Sequence, residues 1–484
     1  MNAVQRFAKN SLALGLARLF RIVSNLILIL FISRFLKADG LGVYATALAF
    51  YGTGRHWVDL GMFNFISREV ARNPGKTNRY ILHLGALSLA VTLPLLSVLV
   101  IVVRLLGYSS ETTMGIYIML LALVAAPLNT ILEAVTVAYQ RVELTTLSQL
   151  VGNAGEIVGT ISLLAIGYGI IPLILNFVCW RYATFLVMAL LFSRHIMVPK
   201  WEFSLTHMKI LFGEVKYFAL LGICGGFFTS EVEIILLSIL TNDLAVGLYS
   251  ASLKIITVWY FIPHTVLPIA FPLLSKSFIE SRERFTHLQA RTVKYLMLTA
   301  FPLTVGLFAL SDRIILILYG PGFEAAVPLL QLMAWMPILF FLSDVLWRTL
   351  LARNEQQLAS RVQIISIIVR LASGAGLILA FGYIGAALAL GVTFAIFVSL
   401  HMHYAAKGGT PIAFFRLSRS FLISSFIMGI ATWTLEHRMA APLALNVAVS
   451  LILYGTLVYL FQGLQREDLD VFRRLVACRE KLAA

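Results

Sequence analysis

Long apolar runs alternate with short polar segments from one end of the chain to the other. A bilayer's hydrocarbon core of ~30 Å takes about 20 helical residues to cross, and the runs predict fourteen such helices. They lie at about 11–33, 42–66, 80–104, 114–138, 145–167, 170–192, 215–240, 246–274, 291–310, 325–350, 361–381, 383–404, 412–435 and 441–462. Tight glycine turns, Gly167-Tyr168-Gly169 and Phe381-Gly382-Tyr383, separate two neighbouring pairs. The expected class is all-α, a polytopic membrane protein. No cleavable signal is evident, because the first residues lead into the first span without a small-residue cleavage site.

Within the apolar runs, polar residues recur at helical spacing. Arg18 and Arg21 share one face of the first span, and Ser11 and Asn25 fall on the same face. The second span carries Tyr51, Arg55 and Asp59 at steps of four, and the eighth carries Ser250, Lys254 and Thr257. Asn129 and Glu133 mark the fourth span, Gln149, Asn153 and Glu156 the fifth, and Gln363, Ser366 and Arg370 the eleventh. Arg181 sits in the sixth, Glu231 and Glu233 in the seventh, and Asp344 with Arg348 in the tenth. Spans thirteen and fourteen carry almost none, which predicts a twelve-helix core around a polar cavity with two peripheral helices. A charge at mid-bilayer costs roughly 2.5–3.5 kcal/mol on insertion scales, so such residues face a bundle interior or a wet cavity. One reading pairs the intramembrane acids and bases as links between helices. The other makes Arg18, Arg21, Arg55 and Lys254 a cationic face, since Asp59 is the one acid on the spans that carry them.

A repeat runs through the same region. Ser33-Arg34-Phe35-Leu36 leads into Gly42-Val43-Tyr44, and Ser238-Ile239-Leu240-Thr241 leads into Gly247-Leu248-Tyr249, with Leu48 answering Leu253 at the same offset of 205 residues. Transporters built from two related halves show such repeats; chance matching among residues common in membrane helices is the competing explanation. The repeat divides the chain into an N-terminal six-helix half at 1–205, a second at 206–408, and two peripheral helices with a polar tail at 409–484.

Composition agrees with the pattern: 60% of residues are hydrophobic and 13% charged, with a mean hydropathy of +0.89, against ~25% charged in soluble chains. The net charge of +15 sharpens the picture through its placement. With a cytoplasmic N-terminus, 27 of the 38 Lys and Arg fall on cytoplasmic segments and helix ends, and five on the other side. By the positive-inside rule, the chain is expected in the cell inner (plasma) membrane with both termini cytoplasmic. The basic surplus therefore needs no nucleic acid to explain it. Cys179, Cys224 and Cys478 are far apart and form neither a metal site nor a disulfide framework.

Five stretches, in order, resemble the polysaccharide transporter (lipid-linked oligosaccharide flippase) family of the MATE-like MOP superfamily, which also holds the MATE drug exporters and lipid II flippases. They are KNSLALGLARLF…RFLKADGLGVYATALAF from Lys9, VDLGMFNFISREVAR from Val58, EIILLSIL…AVGLYSASLKI from Glu233, LYGPGFEAAVPLLQLMAW from Leu318, and FGYIGAALAL from Phe381. At Glu233 the family usually has Asp. The resemblance implies a flippase for polyprenyl-diphosphate-linked saccharides. In lipid II flippase relatives, basic residues on spans one, two and eight line a central cavity; Arg18, Arg55 and Lys254 look equivalent, and Arg21 lies close by. The diphosphate suits fixed cations, with Asn25 on the same face of the first span. Tyr44, Tyr51, Trp57, Trp259 and Tyr260 are candidates for the saccharide's hydroxyls and flat faces, with packing or an interface belt as the competing role. Glu233, Glu156 and Glu133 are candidates to couple transport to H⁺ or Na⁺. No cofactor or metal is implied, and expected partners are the lipid-linked saccharide, membrane lipids, and the glycan polymerase or glycosyltransferases of the same pathway.

Three other functions compete. A MATE-like exporter of organic cations would use the intramembrane acids. A membrane glycosyltransferase or polymerase would need a sizeable extracytoplasmic domain, whereas the longest connection, about 193–214, is cytoplasmic by charge. No Walker loop or HExxH is present, Asp468-x-Asp470 reads as a solvated helix face, and His401-x-His403 lacks further ligands. A scaffold recruiting glycosyltransferases would tolerate loss of the membrane arginines.

Overall fold

The computed structural model describes the backbone of residues 3–200, 204–227, 229–439 and 442–464. It describes side chains from residue 23 onward within those segments, apart from 205, 209, 210, 217, 218, 220, 221, 224 and 439. Among the described residues the structure is helical throughout, with eighteen α-helices and two short 3₁₀ turns. Ten helical stretches there are long and apolar enough to cross a membrane. Large apolar side chains such as Leu105, Ile279 and Phe415 stand at 80–84% exposure, as a lipid-facing surface requires. The protein is an all-α polytopic membrane protein.

Several predicted spans prove to be broken helices. Helix α1 (Ala3–Asp59) holds the first and most of the second predicted spans in two arms that meet at Lys37, whose φ is 58°. Leu60 and Gly61 then separate it from α2 (Met62–Arg72), which carries the rest of the predicted 42–66 span. The predicted 215–240 span becomes α8 (Leu205–Gly226) and α9 (Glu231–Leu240). The 246–274 span becomes α10 (Asp243–Val258) and α11 (Phe261–Glu280). Pro263 accounts for that break, since it has no N–H to offer the Trp259 carbonyl and its ring crowds that turn. Pro337 acts in the same way between α14 (Val327–Met333) and α15 (Met336–Ala352). The two predicted glycine turns are present. Gly167 caps α6 (Val142–Ile166) ahead of α7 (Ile170–His195). Gly382 divides α16 (Gln356–Lys407) at φ 58°, ψ −136°, where a side chain would be strained.

The chain packs as two compact units. The first comprises Met1–Lys254, Leu318–Ala326 and Ile367–Leu390. An apolar core joins α2, α3 (Thr77–Leu106), α5 (Ala122–Ala138) and α7 through Phe65, Ile66, Leu84, Ile131 and Phe192. Polar links tie its other helices: Thr112 on α4 (Ser110–Leu120) donates to Asp243 at 2.9 Å, and Tyr319 donates to the Ala251 carbonyl at 2.8 Å.

The second unit comprises Ile255–Ile317, Val327–Ser366 and Gly391–Ala484. Its core runs through Val293 and Met297 of α12 (Arg282–Ala309), Phe341 and Val345 of α15, Phe421 of α17 (Phe414–Met439) and Tyr454 of α18 (Leu443–Leu460). The last two helices hold more polar groups than their hydropathy announces. Thr432 and Ser450 lie 2.7 Å apart, and Asn446 donates to Glu436, which pairs with Arg313 at 2.6 Å. These small polar residues serve as interhelical glue inside the unit.

Candidate functional site: a polar cavity in the first unit

Helical spacing gathers the polar residues of the first unit onto one cavity of about 640 Å³. The second arm of α1 presents Tyr44, Tyr51, Arg55 and Asp59, its first arm Asn25, and α5 Asn129 and Glu133. Gln149, Asn153 and Glu156 come from α6, Phe177 and Arg181 from α7, Glu231 from α9 and Lys254 from α10. Each set recurs every three or four residues, so one face of each helix turns inward while the rest meets protein or lipid.

The charges in the cavity are matched rather than purely basic. Arg55 Nε lies 3.5 Å from Asp59 Oδ2, whose other oxygen accepts from Thr130 at 2.9 Å. Arg181 donates to Glu156 Oε2 at 2.7 Å, and its guanidinium lies 4.5 Å from the centre of the Phe177 ring. Tyr51 packs edge-on against that ring at 5.3 Å. Glu133 Oε1 accepts from Asn129 at 2.8 Å and Gln149 at 3.0 Å. Glu231 lines the cavity together with Lys254. It comes close because Gly52 carries no side chain: a Cβ there would lie 3.1 Å from Glu231 Cγ. Among the described side chains, three cations (Arg55, Arg181, Lys254) and four acids (Asp59, Glu133, Glu156, Glu231) line the cavity.

The predicted site residues therefore divide. Arg55, Lys254, Tyr51, Asn25, Glu133 and Glu156 converge on the cavity. Arg18 and Arg21 lie outside the residues whose side chains are described. Glu233 does not line it: its carboxylate is fully buried and accepts from Nε and Nη2 of Arg370, the Nε contact being 2.5 Å. The carboxylate two residues earlier, Glu231, faces the cavity instead. Asp59 is the one acid on the spans that carry Arg55 and Lys254, and α9 brings Glu231 in beside α1 as a second. Arg181 also belongs to the lining, and its partnership with Glu156 joins antiparallel helices 25 residues apart in sequence, a distance with no signature. Elsewhere, Asp344 and Arg348 form the expected i,i+4 pair at 3.1 Å. Buried His401 bonds the Phe397 carbonyl at 2.8 Å, and among the described residues no group of His, Cys, Asp and Glu forms a metal cage. Asp468 and Asp470 lie outside the described residues.

Comparison with known proteins places this arrangement. The chain is 25% identical over 482 residues to the "Probable low-salt glycan biosynthesis flippase Agl15" of Haloferax volcanii, covering 97% of this chain and 99% of that one. The fold matches the "Lipid II flippase MurJ, inward closed conformation" with a TM-score of 0.74 at 16% identity, over 92% of this chain and 98% of that one. It also matches an inward-facing multidrug resistance MATE family transporter of the MOP superfamily, with a TM-score of 0.65 at 12% identity over 79% and 94% of the two chains. These likenesses define a MOP-superfamily fold. The sequence model described as "Polysaccharide biosynthesis protein" matches residues 31–328, more than half of the chain, and the protein belongs to that family.

Proposed function

We propose that this protein is a flippase that moves a polyprenyl-diphosphate-linked saccharide from the cytoplasmic to the outer face of the cell's inner membrane. The observation that carries the reading is the cavity itself: Arg55 and Lys254 stand on its wall with a field of amides and acids opposite, in a chain whose full-length relative bears the name of a glycan flippase. A diphosphate leaving water must exchange its hydration for fixed positive groups and hydrogen-bond donors. Arg55 and Lys254 supply them, and the family resemblance adds Arg18 and Arg21 as further candidates. Asp59 and Glu231 accompany the cations in the cavity, so neither cation stands bare in the membrane before the phosphates arrive.

Alternating access moves the loaded cavity from one side to the other. Fourteen passes, two related six-helix halves and two added helices give the chain both termini on the cytoplasmic side, and its partners are the glycan polymerase or glycosyltransferases of the same pathway. Coupling to H⁺ or Na⁺ falls to Glu156 or Glu133, which face the cavity, in preference to Glu233, whose two oxygens are occupied by Arg370. The protein needs no catalytic group for this work.

The acids that outnumber cations in the described lining favour a second reading, an ion-coupled exporter of organic cations. Purified protein in proteoliposomes distinguishes the two. A fluorescent short-chain prenyl diphosphate sugar should cross the bilayer in a protein-dependent way, and a lipophilic cation should not. Transport of the cation alone would replace the first reading with the second.

A further inference from the structure

We propose that the wall formed by α5, α6 and α7 is a saccharide subsite that reads the sugar next to the diphosphate. The inference rests on the flippase reading, and it assigns a part of the cavity that the phosphate chemistry leaves unused.

The wall is built for hydroxyl groups. Asn129 and Gln149 both donate to Glu133 Oε1, while Glu133 Oε2 takes no hydrogen bond from any described residue. Asn129 Oδ1 is buried with no hydrogen-bond partner among the described residues. Asn153 is nine-tenths buried, lines the cavity between Gln149 and Glu156, and makes no hydrogen bond to any described residue. Asn153 and Glu133 thus line the cavity with hydrogen-bonding capacity that the described residues leave unused, which suits a ligand or ordered water that both donates and accepts. A sugar hydroxyl does both. Glu133 offers an acceptor in its second oxygen, and the Asn153 amide offers a donor and an acceptor together.

The charge arrangement points the same way. Glu156 is paired with Arg181, which is fixed against Phe177, so apart from Glu133 this wall offers neutral polar groups where the α1–α10 side offers Arg55 and Lys254. A bound metal cation would need oxygens converging on it, whereas two amide N–H groups already point at Glu133. The substrate would then lie with its diphosphate toward α1 and α10 and its first sugar toward α5 and α6.

The test measures binding of two kinds of probe to the purified full-length protein. One is farnesyl diphosphate; the other is farnesyl diphosphate bearing one sugar, taken in turn as a neutral hexose, an N-acetylhexosamine and a uronic acid. The unmodified protein should bind at least one sugar-bearing probe more tightly than farnesyl diphosphate. Asn153→Ala and, as a second variant, Gln149→Ala should weaken that probe about 3- to 10-fold, the loss of one or two neutral hydrogen bonds, and leave farnesyl diphosphate unchanged. Arg55→Ala should weaken both. Equal losses for both probes in the two amide variants, or no gain from any sugar, would overturn the subsite while leaving the flippase reading intact. So would sugar affinity retained in both amide variants. Failure of the unmodified, folded protein to bind either probe would instead defeat the parent reading.

Discussion

Gly42 and Gly247 take part in one reciprocal contact. A Cβ on Gly42 would run into the carbonyl group of Asp243, and a Cβ on Gly247 into that of Ala38. The four residues are related by a single offset: Gly247 follows Gly42 by 205 residues, and Asp243 follows Ala38 by the same number. Each repeat thus lays its glycine on the backbone of the other at equivalent positions, as two halves meeting about a pseudo-two-fold axis would. Close backbone approach through small residues is how helices gain packing energy where lipid offers no hydrophobic drive.

Adding a methyl group at either glycine should therefore force the second arm of α1 and α10 apart. Overpacking of this kind costs about 1–3 kcal/mol. Gly42→Ala and Gly247→Ala should each lower the melting temperature of the detergent-purified protein, as followed by tryptophan fluorescence. Gly75→Ala, where a Cβ meets nothing within 4 Å, should leave it unchanged. Equal melting temperatures for all three variants would show that the contact carries no packing energy.

Glu233 and Glu156 are both buried acids paired with arginine, yet they should fail differently. Removing one partner of a fully buried pair costs roughly 3–5 kcal/mol, and replacing both by apolar residues is often neutral. Glu233→Gln should reduce the amount of folded protein in the membrane, and Glu233→Leu combined with Arg370→Leu should restore it. Glu156→Gln should leave protein levels normal and remove the response of flipping to an imposed proton or sodium gradient. A gradient response unchanged in Glu156→Gln, Glu133→Gln and the double variant would assign the driving force elsewhere.

Arg55 and Lys254 should affect transport rather than folding. Their acids, Asp59 and Glu231, stay in a wet cavity when the base is removed. Charge-assisted hydrogen bonds contribute about 1.5–3 kcal/mol, so Arg55→Ala and Lys254→Ala should weaken substrate binding roughly 10- to 150-fold at normal membrane abundance. Arg55→Lys should recover part of the loss, because an ammonium replaces a planar fork. If abundance falls instead and returns when Asp59 or Glu231 is also removed, these pairs are structural.

The orientation is open to direct labelling. Single cysteines at Pro199 or Lys200 should resist an impermeant thiol reagent applied to intact cells, and those at Asn242 or Gly320 should react. Reaction at Lys200 from outside would invert the topology that the lysine and arginine bias predicts.

The sequence by itself determined the membrane class, the helical content, the glycine turns at Gly167 and Gly382, and the inward stripes of α1, α5 and α6. These features are local: hydropathy over about twenty residues, backbone freedom at a glycine, and a period of 3.6 are all written along one stretch of chain. Tertiary structure decided the rest. Whether a carboxylate faces a cavity or an arginine depends on which helix lies opposite, so Glu231 and Glu233, two residues apart on α9, went to different fates. Arg181 found Glu156 across an antiparallel packing that no spacing encodes. Proline broke helices that hydropathy had joined, because the lost hydrogen bond acts on a single turn while a hydropathy window averages over five. The balance of charge in the cavity is likewise a property of six helices brought together, and no one of them carries it.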